Sequence, residues 1–198
     1  MEETKLEKLA RLSGKATSKA LDALGKRGFD IRGKLSTPIS RVPRRAPQPK
    51  PQSSEADPET IYNWRRLDDR VTTSGQPTEQ QLADIQALGV RHIVNLGLHS
   101  HEKALPDEAA SVSRLGMTYI HIPVDFQNPT DDDFVMFCSA MAELKEVPVH
   151  VHCIANYRVS AFFYRYRRDV LGMEESRARA DMEEVWHPEG VWATFVDR

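Results

Sequence analysis

The segment His152-Cys153-Ile154-Ala155-Asn156-Tyr157-Arg158-Val159-Ser160 places a cysteine at the exit of an apolar run and an arginine where a helix should open. A short loop folding over a helix N-terminus points several backbone N–H groups into one concavity. Those groups and the helix dipole favour an anion, and they favour a thiolate over a thiol. The arginine offers a planar fork for two oxygens of a phosphate-like group. A thiolate beside an anion cradle and a guanidinium suits covalent transfer of a charged group. If the group is a phosphoryl, the leaving oxygen also needs a proton. Asp125, at the end of His121-Ile122-Pro123-Val124-Asp125, is the expected donor, and Asp131, Asp132 and Asp133 are weaker candidates whose simpler role is helix capping.

Such groups have to be held by a scaffold. Short strands are expected over Trp64–Leu67 and Arg70–Thr73. Thr78-Glu79-Gln80-Gln81 reads as a capping box, opening a helix that turns Leu82, Ile85 and Leu88 inward and stops at Gly89. His92–Leu96 reads as a buried strand, Pro106–Leu115 as a helix and Tyr119–Val124 as a strand. Thr130 should cap a third helix whose first turn, Asp131–Asp133, suits the positive end of the dipole. Val147–His152 is the last expected strand, followed by a helix from Arg158 to Leu171 and helical sequence from Glu174 to Val185. Strands alternating with helices imply an α/β fold with parallel pairing. A parallel sheet of four or five strands with flanking helices is expected. Ligands in such sheets sit beyond the carboxyl ends of the strands, which points to the loops after Leu96, Val124 and His152.

At this point the chain resembles a known family. His152-Cys153, the short loop and Arg158 are similar to the signature of protein tyrosine and dual-specificity phosphatases. Ser74-Gly75-Gln76-Pro77-Thr78, the helix after it and His92–Leu96 resemble one bacterial branch, related to the phosphatase-like domain of β-lactamase-hydrolase-like proteins. The resemblance spans about Tyr62 to Trp192. It implies a protein tyrosine phosphatase-like fold, with Cys153 as nucleophile, Arg158 as phosphate clamp, His152 supporting the thiolate and Asp125 as acid. It also implies backbone N–H groups from Ile154, Ala155, Asn156 and Tyr157 around the substrate, with Ser160 nearby. The reaction it implies is hydrolysis of a phosphate monoester through a phospho-cysteine, on a phosphorylated protein or a small phosphate ester. No metal or organic cofactor is called for.

This sequence departs from that signature. Four residues, rather than the signature's five, separate Cys153 from Arg158, and Val159 stands where the arginine belongs. The loop lacks its usual glycine, so Ala155 or Asn156 must take any left-handed position, and asparagine tolerates that better. Ser160 comes one residue later than the hydroxyl that normally follows the arginine. Cys-x4-Arg is closer to the loop length of rhodanese-like sulfurtransferases, where the cysteine carries a persulfide. Sulfur transfer and turnover-free binding of a phosphate or other anion therefore stand as alternatives.

Other residues have plainer readings. Cys138 belongs to an apolar helix face and reads as core. His150 and His152 alternate with Val149 and Val151, so the two pairs face opposite sides of the sheet; a metal pair lacks a third ligand. His99 and His101 lie on the active edge and read as solvated, and Asn95 is placed to orient the loop after its strand. Tyr157 suits either stacking on a substrate or packing. Arg165, Arg167 and Arg168 read as a solvated helix face. Trp186, Trp192, Val185 and Phe195 should dock the C-terminal helix on the sheet.

The 198 residues include 40% apolar and 28% charged side chains, with a formal net charge of −2. That composition fits a globular protein, and no apolar run is long enough to span a bilayer. Two cysteines do not make a disulfide scaffold, and the acidic start, with Glu2, Glu3 and Glu7, argues against a cleaved leader. A reducing, cytoplasmic setting is expected. The charge is unevenly spread: residues 1–50 hold 13 basic and 5 acidic side chains, and residues 51–198 hold 14 and 24. Six of the 12 prolines fall between Pro38 and Pro58, where Ile39 and Val42 are the only larger aliphatics. Residues 1–57 therefore read as a basic, Pro-rich tail and linker, largely disordered, with a helix-friendly stretch over Thr4–Leu24. The tail suits contact with an acidic partner, and no specific nucleic acid is indicated. Residues 58–198 read as the phosphatase-like catalytic domain.

Overall fold

The computed structural model of the chain describes residues 57–198. The helix-friendly stretch Thr4–Leu24 and nearly all of the Pro-rich linker lie outside the described residues. Five strands form one sheet: β1 (Arg65–Arg66), β2 (Val71–Ser74), β3 (His92–Asn95), β4 (Thr118–His121) and β5 (Val149–His152). Their order is β1-β2-β5-β3-β4. β2, β5, β3 and β4 run parallel, whereas β1 pairs antiparallel with β2. The expected parallel sheet is thus present, with one antiparallel strand added at its edge. The connection from Arg66 to Val71 is too short for a crossover, so it can only turn back.

Among the described residues three helices connect the strands, α1 (Glu79–Ala87), α2 (Glu108–Arg114) and α3 (Asp131–Glu143), and three follow β5, α4 (Tyr157–Arg165), α5 (Glu175–Glu183) and α6 (Val191–Val196). The expected capping box forms between Thr78 and Gln81, and the expected Thr130 cap is also a box, closed by Asp133. α2 starts at Glu108 rather than at Pro106, because Asp107 caps it, its side chain accepting from the Ala110 N–H. The helix expected through Leu171 changes pitch instead. α4 ends at Arg165 and a π-helical turn runs from Tyr166 to Val170, closed by the Leu171 N–H on the Tyr166 carbonyl at 3.1 Å. Along this widened stretch Arg165 reaches Asp131 and Arg167 reaches Asp181, and both are about 7% exposed. They are buried ion-pair residues, not the solvated face expected from their charge. Arg165 also lies over the Phe134 and Phe195 rings, at 4.2 and 4.6 Å from their centroids.

The strand period of two divides the core into two layers. Val94, Val149 and Val151 face α3, α4, α5 and α6, joining Phe137, Phe162, Met182, Trp192 and Phe195. Ile93 faces α1 and α2, joining Trp64, Leu82, Ile85 and Val112. The fully buried Phe137 meets Phe162 and Phe163 edge-on, with centroids 5.5 and 5.1 Å apart. Such pairs add about 0.5–1.5 kcal/mol each beyond their burial. Trp192 and Phe195 do dock α6 on this layer, as expected. Among the described residues no helix is long and apolar enough to cross a membrane.

The parallel register sets up the functional edge. Ser74 pairs with His152, His152 with Asn95, and Asn95 with His121. The last residues of the four parallel strands therefore stand in one row, and the loops that follow them share one side of the sheet.

Candidate active site

Cys153 leaves the central strand β5 and is 1% exposed. The next residues form a loop whose carbonyl groups are all tied away from it. The Ile154 carbonyl accepts from the Gln76 N–H at 3.1 Å, and the Ala155 carbonyl accepts from Asn63 Nδ2 at 2.9 Å. The Asn156 carbonyl takes the Ser160 N–H at 2.9 Å, and the Tyr157 carbonyl takes Trp186 Nε1 at 3.1 Å. In a trans peptide the N–H points opposite to the carbonyl. Fixing the Ile154 and Ala155 carbonyls outward therefore turns the Ala155 and Asn156 N–H groups to the other side. Among the described residues the N–H groups of Ile154, Ala155, Tyr157 and Arg158 have no backbone acceptor, whereas the Gly75–Ala155 bridge turns the Asn156 N–H toward the Ser74 carbonyl.

Ser74-Gly75-Gln76 supports this loop from beneath, through a bridge between Gly75 and Ala155. Glycine is required for that approach, since a Cβ at Gly75 would sit 2.9 Å from the Ile154 carbonyl oxygen. Asn156 takes the left-handed conformation, φ 66°, as the sequence anticipates for a loop without glycine. It is fully buried, and its Nδ2 donates to the Asn63 carbonyl at 2.7 Å and to Thr73 Oγ1 at 3.0 Å.

Arg158, the second residue of α4, is 5% exposed. Its Nη1 donates to the Leu96 carbonyl at 3.4 Å, and its guanidinium lies over the Phe126 ring, 5.4 Å from the centroid. Its Nε is buried without a partner among the described residues. Val159, one step on, is fully buried in the core. With four residues in the loop, Arg158 rather than Val159 thus reaches the edge formed by Leu96 and Phe126.

Asp125 lies next to Phe126, in an exposed turn beyond β4. Its Oδ1 accepts from the Gln127 N–H at 2.9 Å, and Trp192 Nε1 holds the Phe126 carbonyl at 2.8 Å. The turn is therefore anchored to α6 on one side and to Arg158 on the other. Asp131 pairs with Arg165 and Asp133 closes the α3 cap, so both are taken up by structure. Ser160 Oγ faces the Tyr157 carbonyl and Trp186 Nε1. The Tyr157 ring stacks on Trp186, centroids 4.7 Å apart.

His152 is fully buried below the loop. Its Nε2 lies 2.9 Å from Glu108 Oε1 and its Nδ1 is 3.5 Å from the Cys153 carbonyl oxygen. Glu108, itself 2% exposed, also accepts from Gln76 Nε2 at 3.0 Å, Asn95 Nδ2 at 2.8 Å and the Tyr119 hydroxyl at 3.2 Å. Burial pushes its carboxyl pKa up, but the neighbouring His152 and the hydrogen bonds outweigh that and hold it below the ordinary value. Asn95 Oδ1 meanwhile accepts from the Gly97 N–H at 2.6 Å, so Asn95 does orient the loop after β3. His99 is exposed as expected, and it also reaches Tyr119 at 2.8 Å and stacks on His121, centroids 3.8 Å apart.

Sequence reasoning missed Glu108, Asn63 and the side chain of Gln76. Glu108 sits in the first turn of α2, where an acid is explained by the helix dipole alone. The available signal was Asp107 beside it: one acid takes the cap, leaving the second without that duty. Cys138 packs against the core as expected, and burial pushes its thiol up to about 12. Among the described residues no group of three or more His, Cys, Asp or Glu side chains is arranged to hold a metal ion.

The arrangement of sheet, cysteine loop and arginine defines a protein tyrosine phosphatase-like α/β fold, and solved structures share it. The DUF442 protein of Shewanella putrefaciens CN-32, described as a candidate phosphatase, superposes with a TM-score of 0.61 at 34% identity, over 69% of this chain and 87% of that one. Pseudomonas aeruginosa TpbA in complex with pTyr has the same fold, with a TM-score of 0.56 at 20% identity, over 74% of this chain and 85% of that one. The β-lactamase hydrolase-like protein of Agrobacterium fabrum (strain C58) is 29% identical over 130 residues, 63% of this chain. The chain spans only 28% of that relative's length. Residues 52–191 match the family described as DSP-PTPase phosphatase fused to NAD+ kinase, and the chain belongs to that family.

Proposed function

We propose that the chain is a cysteine-dependent phosphatase that hydrolyses a phosphate monoester through a phospho-cysteine on Cys153, with residues 58–198 as the catalytic unit. One observation carries the reading. The loop from Ile154 to Arg158 has its carbonyls tied outward and the N–H groups of Ile154, Ala155, Tyr157 and Arg158 without a backbone acceptor, beside a buried guanidinium with a free Nε. Backbone N–H groups so arranged cradle a tetraoxo anion and stabilise the charge that grows on it in the transition state. Arg158 supplies the fork that orients two of its oxygens.

The Cys153 thiolate attacks phosphorus as the bond from phosphorus to the ester oxygen breaks. Asp125 donates its proton to that oxygen, so an alcohol or phenol leaves. Water then attacks the phospho-cysteine, Asp125 takes its proton, and the phosphorus–sulfur bond breaks to give phosphate and the thiolate. The turn beside Phe126 suits Asp125 for this exchange because it is exposed and lies next to the ring that Arg158 covers. The aromatic rim of Tyr62, Tyr157 and Trp186 favours a substrate with a flat ring at the phosphate, such as phosphotyrosine or a small aryl phosphate.

Hydrolysis of p-nitrophenyl phosphate by the full chain tests the reading. Turnover is expected, and Cys153→Ser should abolish it. A folded wild-type chain without turnover on aryl phosphates or phosphopeptides would overturn it. Sulfur loaded on Cys153 from thiosulfate would then select the sulfurtransferase reading, and saturable phosphate binding alone would select the anion-binding one.

A further inference from the structure

Glu108 is a buried carboxylate with four partners, and each comes from a different part of the site. Gln76 belongs to the segment that supports the loop, Asn95 ends β3, Tyr119 lies on β4, and His152 ends β5. Burying a charge is costly unless it is paired and hydrogen-bonded. A carboxylate used only for the helix dipole would sit in solvent at the helix end, as Asp107 and Glu79 do. We infer that Glu108 is a positioning residue for the Cys153 loop, acting through the His152 ring.

The geometry supports this. Glu108 Oε1 lies 2.9 Å from Nε2 of the ring as a charge contact without an aligned hydrogen bond, and Nδ1 faces the Cys153 carbonyl at 3.5 Å. The same oxygen accepts from Gln76 Nε2, and the Gln76 N–H binds the Ile154 carbonyl. Oε2 holds Asn95, whose other end fixes Gly97 beside Arg158. One carboxylate therefore ties the residue before the cysteine to the supports on both sides of the loop. The inference rests on Cys153 being the nucleophile, but it concerns the state of the thiol and can be read without turnover.

The test is a titration of thiolate absorbance in the full chain, taken as the difference from Cys153→Ser. Cys138 does not interfere, since burial keeps its thiol protonated to about 12. The carboxylate favours the charged form of the neighbouring ring, and a charged ring favours the thiolate. Glu108→Gln should therefore raise the Cys153 midpoint, by about one pH unit, and should add nothing in a His152→Asn background. If Glu108 acted only as a nearby negative charge, its removal would lower the midpoint, in both backgrounds. A lowered or unmoved midpoint in a folded variant overturns the inference. Should Glu108→Gln fail to fold, Tyr119→Phe removes one hydrogen bond with little change of volume. A smaller rise is expected there, and no rise would overturn the inference. Loss of p-nitrophenyl phosphate turnover in the wild type would count against the phosphatase reading alone.

Discussion

Asn63 and Asn156 hold each other across the cysteine loop. Asn156 Nδ2 donates to the Asn63 carbonyl at 2.7 Å, and Asn63 Nδ2 donates to the Ala155 carbonyl at 2.9 Å. Both have positive φ, 52° and 66°, and they are the only non-glycine residues among those described to do so. Left-handed backbone costs most side chains roughly 1–2 kcal/mol, and asparagine less. Each residue thus uses a locally tolerated conformation to secure the other.

Asn156→Ala and Asn156→Gly should separate the two contributions. Both lose the amide hydrogen bonds to Asn63 and Thr73, but only alanine meets the steric cost of φ 66°. Glycine should therefore leave more activity and stability than alanine, by roughly 1 kcal/mol in melting experiments. Equal losses would show that backbone strain plays no part at this position.

The sheet, the helix starts and the cysteine edge were legible because each rests on local chemistry. Thr78 and Thr130 carry their capping partners within four residues, and Val149 and Val151 alternate with His150 and His152. Asn156 was legible because a loop lacking glycine leaves few residues able to turn left-handed. What escaped was set by tertiary pairing. Arg165 and Arg167 look solvated until α3 and α5 bring Asp131 and Asp181 to them. Glu108 looks like a helix-start acid until β5 places His152 against it. The antiparallel β1, by contrast, is written in chain length, because the connection from Arg66 to Val71 is too short for a crossover.

His150 makes the fold sensitive to mild acid. It is fully buried, bonded to Thr72 and Ser74 at 2.9 and 3.0 Å and stacked on Trp64 at 5.2 Å. Burial, and to a lesser extent the neighbouring His152, push its pKa well below the ordinary value. The unfolded chain takes up a proton below about pH 6.5 that the folded chain refuses. This contribution to stability is therefore complete above that pH and lost as pH falls through it, by at most about 1.4 kcal/mol per pH unit. His121, also shifted downward, acts in the same direction. Melting temperatures should drop between pH 7 and pH 5. His150→Gln should melt lower at pH 7 yet show a shallower drop; an unchanged slope would contradict the assignment.

The two thiols should behave differently toward phosphate. Burial holds Cys138 protonated to about 12, away from the site edge on α3. Alkylation at neutral pH followed by peptide mass mapping should leave Cys138 unmodified. Any labelling of Cys153 should be suppressed by vanadate or phosphate occupying the cradle. Phosphate-insensitive labelling of Cys153 would place the anion elsewhere.

Asp125→Asn tests the proton donor through the leaving group. A phenol as acidic as p-nitrophenol departs with little help, whereas an alkyl alcohol needs its oxygen protonated in the transition state. General acid catalysis typically contributes about 10²–10⁴-fold. The variant should therefore lose that much on an alkyl phosphate and far less on p-nitrophenyl phosphate. Equal losses on both esters would assign the donor role to another group, and the exposed turn beside Phe126 would then serve substrate binding alone.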